Sequence, residues 1–95
     1  MKKNGFTELI GNTPLVAMRQ LATPDGVTIY AKLESQNPTG SIKDRIVHKM
    51  IQNAEQAKVI MPGDTIVEAS SGNTAIALAM IGKQRNYKIH VVIPK

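Results

Sequence analysis

The sequence of 95 residues contains no cysteine and no tryptophan, and only one phenylalanine and two tyrosines. Without cysteine, the chain forms neither disulfides nor thiolate metal sites. No apolar run approaches the roughly 20 residues that a membrane-spanning helix needs. Polar Asn4-Gly5 after Met1-Lys2-Lys3 breaks the pattern where a secretion signal would have its apolar core. We therefore expect a cytoplasmic protein that is not inserted into a membrane.

Positive charge is in excess, since twelve Lys and Arg residues against seven Asp and Glu give a net charge of +5. A nucleic-acid-binding surface concentrates such charge and adds aromatic side chains for base stacking. Here the basic residues are dispersed, Lys2-Lys3 is their only adjacent pair, and aromatics are scarce. We expect no nucleic-acid partner. His48 and His90 have no evident third ligand nearby in the sequence, so we expect no metal site.

Lys43 lies in a segment, Ser41 to Ala54, whose apolar residues repeat at helical spacing. The predicted apolar stripe, with Lys43 near its centre, consists of Ile42, Ile46, Val47, Met50, Ile51 and Ala54. The predicted solvated face consists of Asp44, Arg45, His48, Lys49, Gln52, Glu55 and Gln56. Ser41, with Asp44 three residues later, fits a helix N-cap pattern and places Lys43 in the first turn.

Two roles for Lys43 fit that position. The positive end of the helix dipole and partial burial both disfavour the ammonium form. The amine would then be a nucleophile able to form a Schiff base with an aldehyde cofactor or a carbonyl substrate. In the alternative, the side chain extends along the stripe and exposes its ammonium group to water. Helix geometry alone leaves both interpretations open.

The segment Ser70-Ser71-Gly72-Asn73 lies between a predicted strand, Thr65 to Ala69, and a predicted helix that begins at Thr74. Free backbone N–H groups and the helix dipole at such a junction bind anions. Gly72 permits close approach of the backbone, and the hydroxyls of Ser70, Ser71 and Thr74 are donors for a carboxylate. A Ser or Asn that caps the helix explains the same pattern. The residues alone do not decide between these two interpretations.

The remaining patterns predict an α/β fold. We expect an extended arm over residues 6–16 with a turn at 11–14, a strand over 27–33, and a break at 37–40. The strand 65–69, the helix from residue 74 to about 84 and a strand over 88–93 form a parallel crossover unit. The helix is apolar nearly all round, and Val91-Val92-Ile93 is typical of a strand covered on both faces. We therefore expect a fold that is incomplete, and at best marginally stable, in these 95 residues.

Three segments, in this order, resemble motifs of the cysteine synthase family. They are Ile10-Gly-Asn-Thr-Pro-Leu-Val16, Lys32-Leu-Glu-Ser-Gln-Asn-Pro-Thr-Gly-Ser-Ile-Lys-Asp-Arg45 and Glu68-Ala-Ser-Ser-Gly-Asn-Thr74. The resemblance covers nearly the whole chain and is closest to the B-type O-acetylserine sulfhydrylases. It implies the N-terminal portion of a fold-type II pyridoxal-phosphate enzyme, with a three-layer α/β/α arrangement around a mainly parallel sheet. Residues 1–40 would belong to the larger domain of that fold, and residues 41–95 would begin the smaller one.

The resemblance also implies roles for individual residues. Lys43 would hold pyridoxal 5′-phosphate through a Schiff base and carry the α proton of the substrate. Asn73 would hydrogen-bond the phenolic oxygen of the cofactor, and the substrate carboxylate would bind to Ser70, Ser71, Gly72 and Thr74. The implied reaction makes cysteine from O-acetylserine and sulfide by β-replacement, in a homodimer. The glycine-rich loop that binds the cofactor phosphate lies beyond these motifs in the family.

Two departures from the family pattern keep other functions open. Ala75 stands where glycine is usual, and Ser70 where threonine is common. A related enzyme is one alternative: a synthase of another β-substituted alanine, a cystathionine β-synthase or a serine/threonine dehydratase. A truncated, non-catalytic remnant or an interaction module is the other. We expect the 95-residue chain alone to be inactive.

Overall fold

The computed structural model of the protein describes residues 5–95, so Lys2 and Lys3 lie outside the described residues. Its regular elements are strands β1 (Leu15–Ala17) and β2 (Tyr30–Lys32), helix α1 (Lys43–Gln56), strand β3 (Thr65–Ala69), helix α2 (Asn73–Gln84) and strand β4 (Lys88–Val92). Short 3-10 helices at Phe6–Leu9 and Glu34–Gln36 precede β1 and follow β2. No helix in the described range is both long and apolar enough to cross a membrane. The predicted α/β class is confirmed.

The first two strands form an antiparallel pair, with Leu15 opposite Lys32 and Ala17 opposite Tyr30. The predicted turn before them is confirmed, since Gly11 and Asn12 have φ values of 82° and 49°. The extended arm is wrong over Phe6–Leu9, which forms a 3-10 helix. Strand β2 is shorter than predicted, since it covers only Tyr30–Lys32, and the N–H of Val27 donates to Pro24 O at 3.1 Å across a turn at residues 25–26.

The crossover unit β3–α2–β4 is confirmed. Strands β3 and β4 pair in parallel, with Thr65 opposite Lys88 and Ala69 opposite Val92. Helix α2 packs against β4 on one side and α1 on the other. The carboxyl ends of both strands therefore lie at one edge of this sheet, and the chain leaves β3 there to enter α2. The assignment of residues 1–40 and 41–95 to two different domains stays a prediction.

The apolar core is small and lies between α1, α2 and the start of β4. Its buried members are Val47, Ile51, Ala77, Leu78, Ile81 and Tyr87. The run that the sequence predicts to be covered on both faces is exposed among the described residues, with Val92 at 58% and Ile93 at 63%. Half of the Ile76 side chain on α2 is exposed as well. The crossover unit thus forms fully while much of its apolar surface stays uncovered.

Candidate active site

A tight turn leads the chain into α1 and makes Lys43 the first residue of the helix. The N–H of Gly40 donates to the carbonyl of Asn37 at 2.8 Å, and the φ of 95° at Gly40 is one that glycine adopts readily. Ser41 Oγ accepts from the N–H of Lys43 at 3.2 Å. The predicted N-cap is therefore wrong by one residue, since Ile42 is the residue that precedes the helix.

Lys43 heads a row of side chains, four residues apart, that faces the core. The next two members, Val47 and Ile51, are only 3% and 4% exposed, and Lys43 itself is partly buried. The prediction that Lys43 lies on the apolar side of the helix is therefore confirmed. Among residues 5–95, no side chain or carbonyl forms a hydrogen bond or ion pair with Lys43 Nζ. The amine is available to a ligand.

The other predictions for the faces of α1 need two corrections. Ile42, Ile46 and Met50 form a row that is 49%, 45% and 62% exposed, although the sequence predicts a buried stripe there. Asp44, predicted on the solvated face, is completely buried. The periodicity identifies an apolar side, but it does not reveal which rows meet α2 and which meet the turn before α1.

Asp44 is buried because the preceding turn uses its carboxylate as an acceptor. One oxygen accepts from the N–H of Thr39 at 2.8 Å, and the other accepts from the Thr39 hydroxyl. Hydrogen bonds to an ionised acceptor are stronger than neutral ones. The predicted capping bond from Asp44 toward Ser41 is replaced by this pair, which closes the turn directly before Lys43.

The segment Ser70-Ser71-Gly72-Asn73 forms the loop between β3 and α2. The N–H of Gly72 donates to Ser70 Oγ at 3.3 Å, and no side chain caps α2. The capping interpretation therefore does not hold here, and the first N–H groups of α2 stay available to an anion. Ser71, Gly72 and Asn73 are exposed, whereas Ser70 and Thr74 are partly buried.

Gly72 is not required by the backbone or by packing within the described chain. Its φ is −124°, which other residues also adopt, and an added Cβ would meet nothing within 4 Å. The space above Gly72 is open. That openness fits the predicted close approach of a ligand to the backbone of this loop.

Helices α1 and α2 run in the same direction. Near their carboxyl ends, Arg85 donates to Glu55, with Nε at 2.8 Å from Oε1. Lys43 lies twelve residues before Glu55, and Asn73 lies twelve residues before Arg85, a distance of about 18 Å along each helix. Thr74 of α2 also lines an apolar groove with Val47 of α1. The amino-terminal ends of both helices, with Lys43 and the 70–74 loop, therefore lie at one end of the helix pair.

A network of polar side chains, which we call the Arg45 network, surrounds the start of α1. Its members are Thr13, Glu34, Asn37 and Arg45. Arg45 donates through Nε and Nη2 to the two carboxylate oxygens of Glu34, and Nη2 lies 3.1 Å from Oε2. The Thr13 hydroxyl donates to Glu34, and Asn37 Nδ2 lies 3.1 Å from Glu34 Oε1. The network links three segments that are distant in the sequence.

Sequence reasoning did not assemble this network, because the contacts that join Arg45 to Glu34 and to Thr13 span 11 and 32 residues. From the sequence, Arg45, Glu34 and Asp44 could pair near the cofactor, but surface or capping roles are favoured for them, and a structural turn is favoured for Gly11 and Thr13. The structure contains the Arg45–Glu34 pair, whereas Asp44 bonds to Thr39. The resemblance to the family in residues 10–16 and 32–45 marks these residues as notable. No rule of sequence spacing, however, predicts that they contact one another.

The charge of the network is stable over a wide pH range. Arg45, the largest influence, and the hydrogen bond from Thr13 lower the pKa of Glu34 to about 2, although partial burial opposes the shift. The same ion pair raises the pKa of Arg45. Glu34 is therefore a carboxylate, and Arg45 a guanidinium, throughout the neutral range.

Comparison with known proteins agrees with this architecture. The profile of the family described as "Pyridoxal-phosphate dependent enzyme" matches residues 6–95. The chain belongs to this family. Cysteine synthase B of Salmonella typhimurium is 47% identical over 91 residues, which are 96% of this chain and 30% of that protein. This member of the pyridoxal-phosphate dependent family thus spans about 30% of the length of that relative.

Two solved structures extend the comparison. A hydrogen sulfide-producing enzyme from Fusobacterium nucleatum is 47% identical, with a TM-score of 0.88 over all of this chain and 31% of its own. An O-acetylserine dependent cystathionine beta-synthase from Helicobacter pylori is 35% identical, with a TM-score of 0.92 over all of this chain and 32% of its own. The α/β arrangement is therefore part of the fold of these enzymes, as the sequence predicts.

The residues present fit part of a pyridoxal phosphate site. An unpaired lysine amine can hold an aldehyde, and the uncapped start of α2, beside three hydroxyls, offers donors for anionic oxygens. Within residues 5–95, no cluster of three His, Cys, Asp or Glu side chains could hold a metal ion. The donor set suits an anionic organic cofactor and substrate.

Proposed function

We propose that this chain supplies the lysine and the substrate loop of a pyridoxal-phosphate dependent enzyme that makes cysteine from O-acetylserine and sulfide. The observation that carries the proposal is the placement of Lys43 and the 70–74 loop at the amino-terminal end of two helices that run in the same direction. In this reaction, the bond from Cβ to the acetate oxygen breaks and a bond from Cβ to sulfur forms. Acetate leaves with the bonding electrons.

Lys43 has two roles in the proposal. Its Nζ would hold the cofactor through the aldehyde carbon and, once the substrate amine takes its place, would remove the proton from Cα of the substrate. The same nitrogen would return a proton to Cα at the end. When bound, pyridoxal phosphate supplies an electron sink for this chemistry.

The 70–74 loop would position the substrate. Backbone N–H groups at the start of α2 and the hydroxyls of Ser70, Ser71 and Thr74 would bind the substrate carboxylate, and the open space above Gly72 admits it. The side chain of Asn73 would hydrogen-bond the phenolic oxygen of the cofactor. Held in this way, the substrate would present its Cα to Lys43.

Covalent trapping tests the proposal. The protein is expressed from its natural gene, with any sequence that accompanies residues 1–95, incubated with near-stoichiometric pyridoxal phosphate, reduced with borohydride and digested for mass spectrometry. We expect the adduct on Lys43, and its loss in Lys43→Arg but not in Lys49→Arg, an exposed lysine of the same helix. Adducts scattered over many lysines would favour the alternative of a non-catalytic remnant.

Product analysis separates cysteine synthesis from related reactions. The relatives carry different names, and Ala75 and Ser70 depart from the usual family residues at the loop. O-acetylserine is supplied with sulfide, homocysteine or no nucleophile, and serine and threonine are supplied separately. Cysteine as the main product supports the proposal. Cystathionine or a keto acid would assign the protein to one of the related enzymes. The homodimer and the domain division stay predictions.

A further inference from the structure

We propose that Arg45 is a positioning residue that, through the Arg45 network, fixes the direction in which Lys43 points. The inference rests on the proposed function, because it concerns how well Lys43 meets an aldehyde cofactor. It assigns a role to Thr13, Glu34 and Asn37, none of which belongs to the predicted cofactor or substrate contacts.

The contact between Arg45 and Glu34 is specific in geometry. Nε and Nη2 of the guanidinium meet the two oxygens of one carboxylate, the two-point arrangement that a lysine ammonium cannot reproduce. Nη2 also lies 3.3 Å from the Thr13 hydroxyl. The Glu34 side chain is only 17% exposed, whereas the Arg45 side chain is 38% exposed, so the carboxylate is the partner that is largely shielded from water. A surface ion pair without such contacts would position α1 only weakly.

Asn37 forms hydrogen bonds that hold Glu34 in place. This asparagine is 3% exposed, and its Nδ2 donates to the carbonyl of Glu34 at 2.9 Å. Its Oδ1 accepts from the N–H of Gly11 at 2.8 Å. Gly11 packs so closely on Arg45 that an added Cβ would lie 2.9 Å from Nη1. Glu34, Asn37 and Gly11 thus form a surface of mutually bonded groups on which Arg45 packs.

Helix geometry connects this surface to Lys43. Successive residues turn by about 100° around a helix axis. Asp44, one residue after Lys43, bonds to Thr39, and Arg45, two residues after it, bonds to Glu34. These contacts hold two of the three sides of the first helical turn. Because the helix is then fixed against rotation about its axis, the side from which Lys43 projects is fixed too. Loss of the Arg45 contacts would allow the first turn to rotate or fray.

The test compares two arginine–glutamate pairs, one at each end of α1. Arg45→Met removes the pair with Glu34, and Arg85→Met removes the pair with Glu55 near the carboxyl end. Both variants lose one partly exposed ion pair, but only Arg45→Met changes the surroundings of Lys43. The measurement is the rate at which pyridoxal phosphate and borohydride label Lys43, relative to Lys49 and Lys58 in the same sample.

We expect Arg45→Met to slow labelling of Lys43 about tenfold, since misplacing a reacting group by 1 Å costs up to roughly 100-fold in rate. Arg85→Met should label as the unaltered protein does. Equal labelling in all three proteins would overturn the inference and leave the proposed function intact. Equal losses in both variants would also overturn it, because they would indicate a general effect of stability. Scattered labelling in the unaltered protein would end both proposals.

A second pair of variants applies if Arg45→Met fails to fold, as judged by circular dichroism. Gly11 and Gly26 have nearly identical φ values of 82° and 81°. Alanine at either position imposes the same backbone strain, but only at Gly11 does the methyl group meet Arg45, since nothing lies within 4 Å at Gly26. We expect Gly11→Ala alone to slow labelling of Lys43. An equal effect of Gly26→Ala would count against the positioning role.

Discussion

Lys43 and Asp44 are neighbours in the sequence with opposite surroundings. The lysine amine has no partner among residues 5–95, whereas the carboxylate next to it is completely buried and accepts two hydrogen bonds from Thr39. A buried acceptor that loses its hydrogen-bond donors costs free energy, and Asp44 is buried while Thr39, its donor, is partly buried. The turn before α1 thus uses Asp44 as its acceptor, whereas the proposed reaction would use Lys43.

Asp44→Asn should destabilise the protein by about 1–3 kcal/mol, because the amide can accept one of the two Thr39 bonds but turns an NH₂ group toward the other donor. Asp25→Asn, in an exposed turn, is the matched control and should change the free energy of unfolding by less than about 0.5 kcal/mol. Urea unfolding of the protein from its natural gene measures both. Similar effects of the two substitutions would mean that the Thr39 contacts contribute nothing to the free energy of unfolding.

Glu34 should make the protein sensitive to acid. Its pKa is about 2 in the folded protein, below the ordinary value of 4.5, so the folded state favours the carboxylate. This stabilisation is complete above pH 4.5 and is lost as the pH falls toward 2. Glu34→Gln should flatten the fall in the free energy of unfolding over that range. Because Arg45 is the main cause of the shift, Arg45→Met should flatten it as well, and the double variant should add nothing further. Additive effects would contradict this coupling.

At the scale of the elements, α2 packs tightly on the residues that lead into and form β4. Gly82 is buried, and an added Cβ would lie 2.7 Å from Ile89 Cγ1 and closer still to Cδ1. Tyr87, directly before the strand, is 5% exposed and belongs to the core. Helix and strand approach each other at a point where only glycine fits, which explains an otherwise unfavourable residue within a helix.

Gly82→Ala should therefore destabilise the protein, although alanine normally favours a helix by about 1 kcal/mol. The methyl group overpacks against Ile89, at a cost of about 1–3 kcal/mol. In an Ile89→Ala background, the same substitution should become neutral or stabilising, since both clashing carbons are gone. Thermal unfolding of the four proteins gives the coupling free energy. A coupling near zero would show that α2 shifts away from β4 at no cost.

The elements also show what the sequence can predict. The unit β3–α2–β4 is predictable because turn residues bound each element, and its limits are correct to one residue. The rows of α1 are not, since Ile46 and Val47 are equally apolar, and only the position of α2 decides which is buried. Lys43 and the 70–74 loop are recognisable from local pattern and family resemblance. The complete Arg45 network is not, because the contacts of Glu34 with Thr13 and Arg45 join segments far apart in the chain.

At the scale of the whole molecule, the chain is too extended to bury its apolar residues by itself. Its radius of gyration is 16.9 Å, whereas a compact domain of this length has roughly 12.4 Å. Large apolar side chains are exposed on α1, on the sheet and on the arm, among them Met50 at 62%, Val67 at 63% and Leu15 at 63%. Such surface usually indicates an interface with other polypeptide.

Purified residues 1–95 alone should therefore bind the dye ANS and unfold gradually with heat, whereas Salmonella cysteine synthase B, as the reference, should do neither below its transition.

The exposed row on α1 provides an internal check. Ile46→Gln/Met50→Gln should reduce ANS binding and leave helix content unchanged, since these side chains contribute little to the core. Val47→Gln, one residue away but 3% exposed, should instead reduce helix content, because it places a polar group in the core. If the double variant lost as much helix as Val47→Gln, the row would already be covered in solution, either by a second copy of the chain or by a rearranged α1. Sharp, cooperative unfolding of the unaltered 95 residues, with no ANS binding, would contradict the prediction, because it would mean that this small core is sufficient for a stable fold.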